Sequence, residues 1–142
     1  MAQLFQVGIK ALIRNKKSEI LMVKIPAKSG NKAHWDLPGG RMDPGENFQD
    51  TLKRELLEEL SCSYEGTPKH LMSFLTNITI PLDGIRIPLI FVVFEAKLPN
   101  NAKIKLDPES MEEEYTWFSK DQAANEMKYK FSKDFCELVS KH

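Results

Sequence analysis

Gly40-Arg41-Met42-Asp43-Pro44-Gly45-Glu46-Asn47-Phe48-Gln49-Asp50-Thr51-Leu52-Lys53-Arg54-Glu55-Leu56-Leu57-Glu58-Glu59-Leu60 decides the reading of this chain. A glycine turn runs here into a stretch crowded with carboxylates. Asn47 is placed to cap a helix and Asp50 stands three residues on, where the acid of a capping box belongs; neither glycine nor proline interrupts Phe48 to Leu60. The spacing predicts a helix over 48–60. Phe48, Leu52, Leu56 and Leu60 make its apolar stripe, and Glu55 and Glu59 lie at the edge of that stripe, facing the protein body. Glu58 is three residues from Glu55, so three acids fall within one turn. Two like charges about 4 Å apart repel by roughly 4 kcal/mol at the effective dielectric of a protein surface, and a hard divalent cation relieves that conflict. Mg2+ suits such a set because it takes oxygen ligands and completes its shell with water and substrate phosphates; Mn2+ suits it too.

The residues ahead of the helix fit the same chemistry. Leu37-Pro38-Gly39-Gly40 and Pro44-Gly45 form a turn with little side-chain bulk, so main chain can approach a metal or a phosphate. Arg54 precedes Glu58 by four residues and can reach back to Glu46, which makes it an orienting partner for the acids. Gly39, Gly40 and Arg41 are candidate substrate contacts. Lys28 and Lys32, in the polar loop 26–33, can neutralise a terminal phosphate or serve solubility alone.

The pattern Gly40, five residues, Glu46, seven residues, Arg54-Glu55, Leu56, one residue, Glu58-Glu59, one residue, position 61 and Cys62 resembles the signature of the Nudix hydrolase family, of the small MutT-like kind. Ser61 departs from it, since the family has glycine there. A glycine just past a helix end supplies a left-handed backbone, so Ser61 is expected to cost about 1 kcal/mol or to change the helix exit. Trp35-Asp36-Leu37-Pro38-Gly39-Gly40-Arg41 and Pro44-Gly45-Glu46 also resemble the family's usual surroundings. The resemblance implies metal ligation by Glu55, Glu58 and Glu59, with the Gly40 carbonyl, and a catalytic set of those three with Arg54 and Glu46. It further implies a ligand or general base from the loop before the last strand, which points to Glu112, Glu113 or Glu114; a solvated acidic loop is the alternative. It leaves open whether Glu55 or this loop supplies the base. His34, beside the signature, is a candidate phosphate contact, although a lone histidine is more often a surface residue.

Other catalytic classes lack support: the sequence has no Gly-x-Ser-x-Gly elbow, no Gly-Lys-Ser or Gly-Lys-Thr loop, no His-x-x-His and no Cys-x-x-Cys. Twenty basic residues balance twenty acidic ones, so no global field attracts DNA or RNA, and a free nucleotide is the expected partner. The 142 residues, 42% hydrophobic, are expected to form one domain with an apolar core. No apolar run is long enough to span a bilayer and the start reads directly into a strand, so no membrane association and a cytoplasmic location are expected. Cys62 and Cys136 are expected reduced and buried. A homodimer stays open.

Alternation predicts strands over 5–13 and 19–25, then 71–80 and 85–98 joined by an Asp83-Gly84 hairpin turn, and a short strand over 115–118. Ser119 with Gln122 opens a terminal helical region broken near Ser132. The expected fold is α+β, an α/β/α sandwich with a mixed sheet between helices, as the Nudix resemblance also implies. The expected function is a Mg2+-dependent pyrophosphohydrolase that cuts a nucleoside diphosphate linked to a further group, leaning to nucleoside triphosphates, modified ones among them. The alternatives are hydrolysis of dinucleoside polyphosphates or nucleotide sugars, a nucleotide-binding module without turnover, or an interaction domain.

Overall fold

The computed structural model describes residues 2–112 and 114–142. Seven strands and three helices follow in the order β1 (Gln6–Leu12), β2 (Ile20–Ile25), β3 (His34–Asp36), β4 (Gly39–Arg41), α1 (Phe48–Leu60), β5 (Lys69–Leu82), β6 (Ile85–Glu95), β7 (Tyr115–Phe118), α2 (Lys120–Met127) and α3 (Lys133–Lys141). The expected α+β sandwich is present, with its strands divided between two sheets. One has the order β4-β1-β6-β5, the other β3-β2-β7. In the first, β1 runs parallel to β6 and antiparallel to β4, which makes that sheet mixed.

Local signals account for most of these elements. Helix α1 has the expected bounds, with Asn47 and Asp50 forming a reciprocal capping box. The β5–β6 hairpin closes through Asp83 and Gly84, both at positive φ, as a tight two-residue turn requires. Ser119 with Gln122 caps α2, and Ser132 caps α3. Strands β3 and β4 escaped the sequence reading because three residues are too few to show a period, and 37–40 read as turn. Gly39 is pinned by the pairing: its φ of 134° lies in the region glycine favours, and a β-carbon there would strike the Ile9 carbonyl.

The period of two along β1 sends Ile9 and Ala11 to one side and Leu12 to the other. On the first side, Leu52, Leu56 and Leu60 of α1, all fully buried, pack against Ile9, Ala11, Leu21 and Val23. Each such burial contributes about 1.5–3 kcal/mol. On the second, Met127, Phe131, Phe135 and Val139 pack against Leu12, Met22, Phe91 and Val93. Phe48, the first residue of the expected stripe, is 44% exposed, with its ring centre 5.9 Å from that of Phe94. The two cysteines are free and buried.

Candidate active site

Glu59 points inward from α1 and is buried. It accepts the Gly39 amide hydrogen at 2.7 Å, which ties the helix to β4. Glu55, one turn earlier, is half-buried and lies flat against Gly40; any side chain at position 40 would collide with its carboxylate. Glu58 is exposed. Arg54 gathers the remaining acids with its guanidinium fork. Its Nε and Nη2 donate to the two oxygens of Glu46 at 2.7 and 3.0 Å, and its Nη1 donates to Glu55 at 2.8 Å and to Glu58 at 3.2 Å. A bidentate pair of this kind fixes orientation as well as charge. Arg54 Nη2 also donates to the Arg41 carbonyl at 3.1 Å, joining β4 to the same network.

The electrostatics set these acids apart from one another. Arg54, with the Asp43 amide and the Thr51 hydroxyl, holds Glu46 at a pKa of about 2. Burial pushes the Glu55 carboxyl up, against Arg54 and Lys10. Burial, then Glu112 as a hydrogen-bonding and like-charged neighbour, pushes Glu59 up to about 10 while Lys10 pulls it down. Glu112 lies below its ordinary value: burial works against it, but the bond with Glu59, hydrogen bonds from its own amide and from Ser110, and the charge of Lys10 together outweigh that. The Glu59 and Glu112 carboxyls therefore influence one another in opposite senses, Glu59 favouring its protonated form and Glu112 its ionised form.

This donor set fits a hard divalent cation. It is all oxygen, the buried Glu59 carboxyl stands beside half-buried Glu112, and Gly40 leaves its main chain open beside Glu55. The expected convergence of three carboxylates takes a different form: among the described residues no three acidic side chains are gathered closely enough to hold an ion. Arg54 occupies Glu55 and Glu58 instead, holding Glu55 at the pocket wall and Glu58 outside it.

The pocket itself measures about 340 Å³ and brings together Lys28, Gly39, Gly40, Arg41, Glu55 and Glu112 of the expected residues. Lys28 leans across its mouth, with Nζ 3.1 Å from Met111 Sδ. Lys32 is turned away, its Nζ 4.7 Å from the centre of the Tyr129 ring. Of the acidic run, Glu114 is exposed and pairs with Lys24 at 3.9 Å, and Glu113 lies outside the described residues.

Sequence reasoning missed the floor. Lys10, Asp36 and Lys130 are all buried; Asp36 Oδ2 accepts from Lys10 at 3.2 Å and from Lys130 at 2.6 Å. Burial opposes the Asp36 charge, but the two ammonium groups hold its pKa near 2. Lys10 also reaches the Gly39 carbonyl at 3.4 Å and, drawn by Asp36, Glu59 and Glu55, stays above its ordinary pKa despite burial. His34 is buried rather than on the surface: its Nδ1 bonds the Lys32 carbonyl at 2.7 Å and its Nε2 faces Lys130 Nζ at 3.3 Å. The signal that would have found Lys10 is a lysine inside the apolar run Val7-Gly8-Ile9-Lys10-Ala11-Leu12-Ile13.

The pattern of the NUDIX domain family matches residues 4–139, nearly the whole chain. The chain belongs to the NUDIX family. The MutT protein of Methanosarcina mazei Go1 superposes on this NUDIX domain with a TM-score of 0.71 and 25% identity, covering 99% of this chain and 96% of the other. The E. coli ORF135 protein matches with a TM-score of 0.63 and 21% identity over 96% and 87% of the two chains, a likeness of fold. Among sequence relatives, the nucleoside triphosphatase NudI of Enterobacter sp. (strain 638) is 29% identical over 93 residues, 63% of this chain and 66% of its own length. The CTP pyrophosphohydrolase of E. coli (strain K12) is 35% identical over 54 residues, 38% of this chain and 40% of its own. The human 8-oxo-dGDP phosphatase NUDT18 is 35% identical over 65 residues, only 19% of its length. The chain thus spans less than two thirds of the length of these relatives.

Proposed function

We propose that this NUDIX domain is a Mg2+-dependent pyrophosphohydrolase acting on a nucleoside diphosphate linked to a further group, with nucleoside triphosphates, modified ones among them, as the favoured class. The observation that carries this reading is the buried Glu59 carboxyl beside half-buried Glu112, bordering a pocket lined by Glu55, Gly39, Gly40 and Arg41. The printed activities of the relatives, a triphosphatase and a CTP pyrophosphohydrolase, support the substrate class.

In this reading Glu59, Glu112 and the Gly40 carbonyl would hold Mg2+, or Mn2+ in its place, with Glu55 and Glu58 joining them on leaving Arg54. When bound, the ion would supply charge neutralisation of the phosphoryl oxygens and orientation of the attacking water. Arg54 keeps Glu46 ionised and fixes Glu55 and Glu58 in reach of the diphosphate. Glu55, raised by burial, is the better fitted of the two candidate bases to take the water's proton; Glu112, held low, is the poorer. As the water oxygen bonds phosphorus, one anhydride P–O bond breaks and the leaving phosphate carries off its electron pair. Arg41 and Lys28, both exposed at the pocket, offer positive charge to the phosphates. The free cysteines fit a reducing compartment, and we place the enzyme in the cytoplasm.

A panel of nucleoside triphosphates, dinucleoside polyphosphates and nucleotide sugars, scored for phosphate or pyrophosphate release with and without Mg2+, tests the proposal. Mg2+-dependent release from a triphosphate is expected. Tight nucleotide binding without release from any compound would instead identify a binding module.

A further inference from the structure

Lys130 has no part in the chemistry above, yet the fold is built to aim it. It sits in the turn between α2 and α3, and main-chain bonds pin it from both sides. Its carbonyl accepts the Asn77 amide hydrogen at 2.8 Å, and its own amide donates to the Met127 carbonyl at 3.1 Å. The Asn77 side chain also donates to the carbonyls of Lys128 and Phe131, at 3.2 and 3.0 Å, so β5 holds the whole turn. The Lys130 side chain is sent inward to the pocket floor, where its Nζ stands 5.3 Å from the centre of the Phe91 ring.

An ammonium carries three N–H donors. Among the described residues two have acceptors, Asp36 Oδ2 and His34 Nε2. The third is left for whatever fills the pocket. Among the described residues both Asp36 oxygens are engaged: Oδ1 takes the Leu37 amide hydrogen at 2.8 Å, and Oδ2 takes both lysines. Lys10 faces the acid side, toward Gly39 and Glu59. Beyond Asp36, which Lys130 shares with Lys10, the charges acting on Lys130 are the like ones of Lys10 and Arg41. The same pocket is lined by Ile78, Ile80, Leu89 and Phe91, which are apolar and suit a flat ring.

We propose that Lys130 is a specificity-determining residue that donates a hydrogen bond to a carbonyl oxygen on the base of the bound nucleotide, so that the pocket selects oxo-bearing bases over amino-bearing ones. This rests on the reading of the pocket as a nucleotide site. A base with an amino group at that edge sets donor against donor and leaves a buried N–H unpaired, and buried polar groups left without partners are what gives such sites their discrimination. The preference follows the exocyclic group and applies to purines and pyrimidines alike.

The pairs ITP and ATP, and UTP and CTP, test it, because the members of each pair exchange a carbonyl for an amino group. With the full chain and Mg2+, kcat/KM for ITP and UTP should exceed that for ATP and CTP by about tenfold or more. Lys130→Met keeps the apolar stem and removes the donors, and it should bring both ratios to within about twofold, through KM. Lys130→Arg keeps donors and should retain part of the preference. A parent enzyme without the oxo preference overturns the proposal. So does a Lys130→Met variant that slows all four nucleotides by one common factor, which would assign Lys130 to the phosphates or to the fold. If Lys130→Met does not fold, the parent ratios and Lys130→Arg still decide. Binding of the four α,β-imido analogues, read by calorimetry, separates this inference from the hydrolase reading. Oxo-selective binding without turnover removes only the hydrolase, turnover without selectivity removes only this role of Lys130, and no binding at all removes both.

Discussion

Glu59→Gln in the metal-free protein should change how stability depends on pH. Glu59 is 5% exposed, and burial together with Glu112 raises its carboxyl from 4.5 to about 10 in the folded chain. Between those values the folded protein holds a proton that the unfolded chain has released. Stability due to this group is therefore complete below about pH 4.5 and is lost as pH rises toward 10. The slope from one such group is at most about 1.4 kcal/mol per pH unit. Glu112, held below its ordinary value, is ionised in both states from pH 7 to 9 and adds no slope there. His34, pushed down by burial, contributes the opposite slope below its ordinary 6.5, and it does so equally in both proteins. The carboxamide introduced by the substitution keeps an acceptor for the Gly39 amide and offers Glu112 a donor without carrying a proton to lose. From pH 7 to 9 the stability difference should move in favour of the variant by on the order of 1–3 kcal/mol. Urea denaturation in EDTA at half-unit intervals of pH measures it. A difference that stays flat across this range would mean that Glu59 is ionised in the folded protein, and the argument for a protonated Glu59 would fail.

Three further outcomes follow from the same contacts. Ser61 occupies the left-handed region with φ 57° and ψ 31°, as the missing glycine implied, but its Oγ donates to the Lys105 carbonyl at 2.8 Å. Glycine would relieve about 1 kcal/mol of strain and forfeit a bond of about the same worth, so Ser61→Gly should leave thermal stability within about 0.5 kcal/mol of the parent. A gain above 1 kcal/mol would show that the Lys105 bond contributes nothing. Asp36→Asn strips the counter-charge from two buried ammonium groups and should cost about 3–5 kcal/mol by chemical denaturation near neutral pH. A loss under 1 kcal/mol would show that Lys10 and Lys130 carry little charge there. Arg54→Lys cannot hold Glu46, Glu55 and Glu58 at once; Mg2+-dependent turnover should fall about 10–100-fold, and the Glu46 pKa should climb from about 2 toward 4.5 in an NMR titration. An unmoved Glu46 titration would remove the orienting role given to Arg54.

How much of this was legible in the sequence depended on the range of the signal. Helix α1, its cap and the Arg54 fork are local: Asn47, Asp50, Glu46 and the acids all lie within fourteen residues, so period and spacing sufficed. The Asp83-Gly84 hairpin is equally local. The pocket floor is not. Lys10 and Asp36 are 26 residues apart, and Asp36 and Lys130 are 94 apart. Nothing in the neighbourhood of any one of them announces the others. His34 misled for the same reason, since its burial depends on Lys130 and Tyr129 arriving from the far end of the chain. Lys32 stood at a position that loop composition alone could not aim, and the Tyr129 ring draws it off the pocket.

The central claim is that Glu59 belongs to a metal-dependent hydrolytic site. The direct test is the rate of phosphate or pyrophosphate release from a nucleoside triphosphate by the parent and by Glu59→Gln, each titrated with Mg2+, with melting temperatures recorded in the same solutions. The account predicts that parental turnover requires Mg2+, that Glu59→Gln is slower by about a hundredfold or more while remaining folded, and that Mg2+ raises the melting temperature of the parent alone. Parental rates in Glu59→Gln, together with an undiminished Mg2+ stabilisation of that variant, would contradict it.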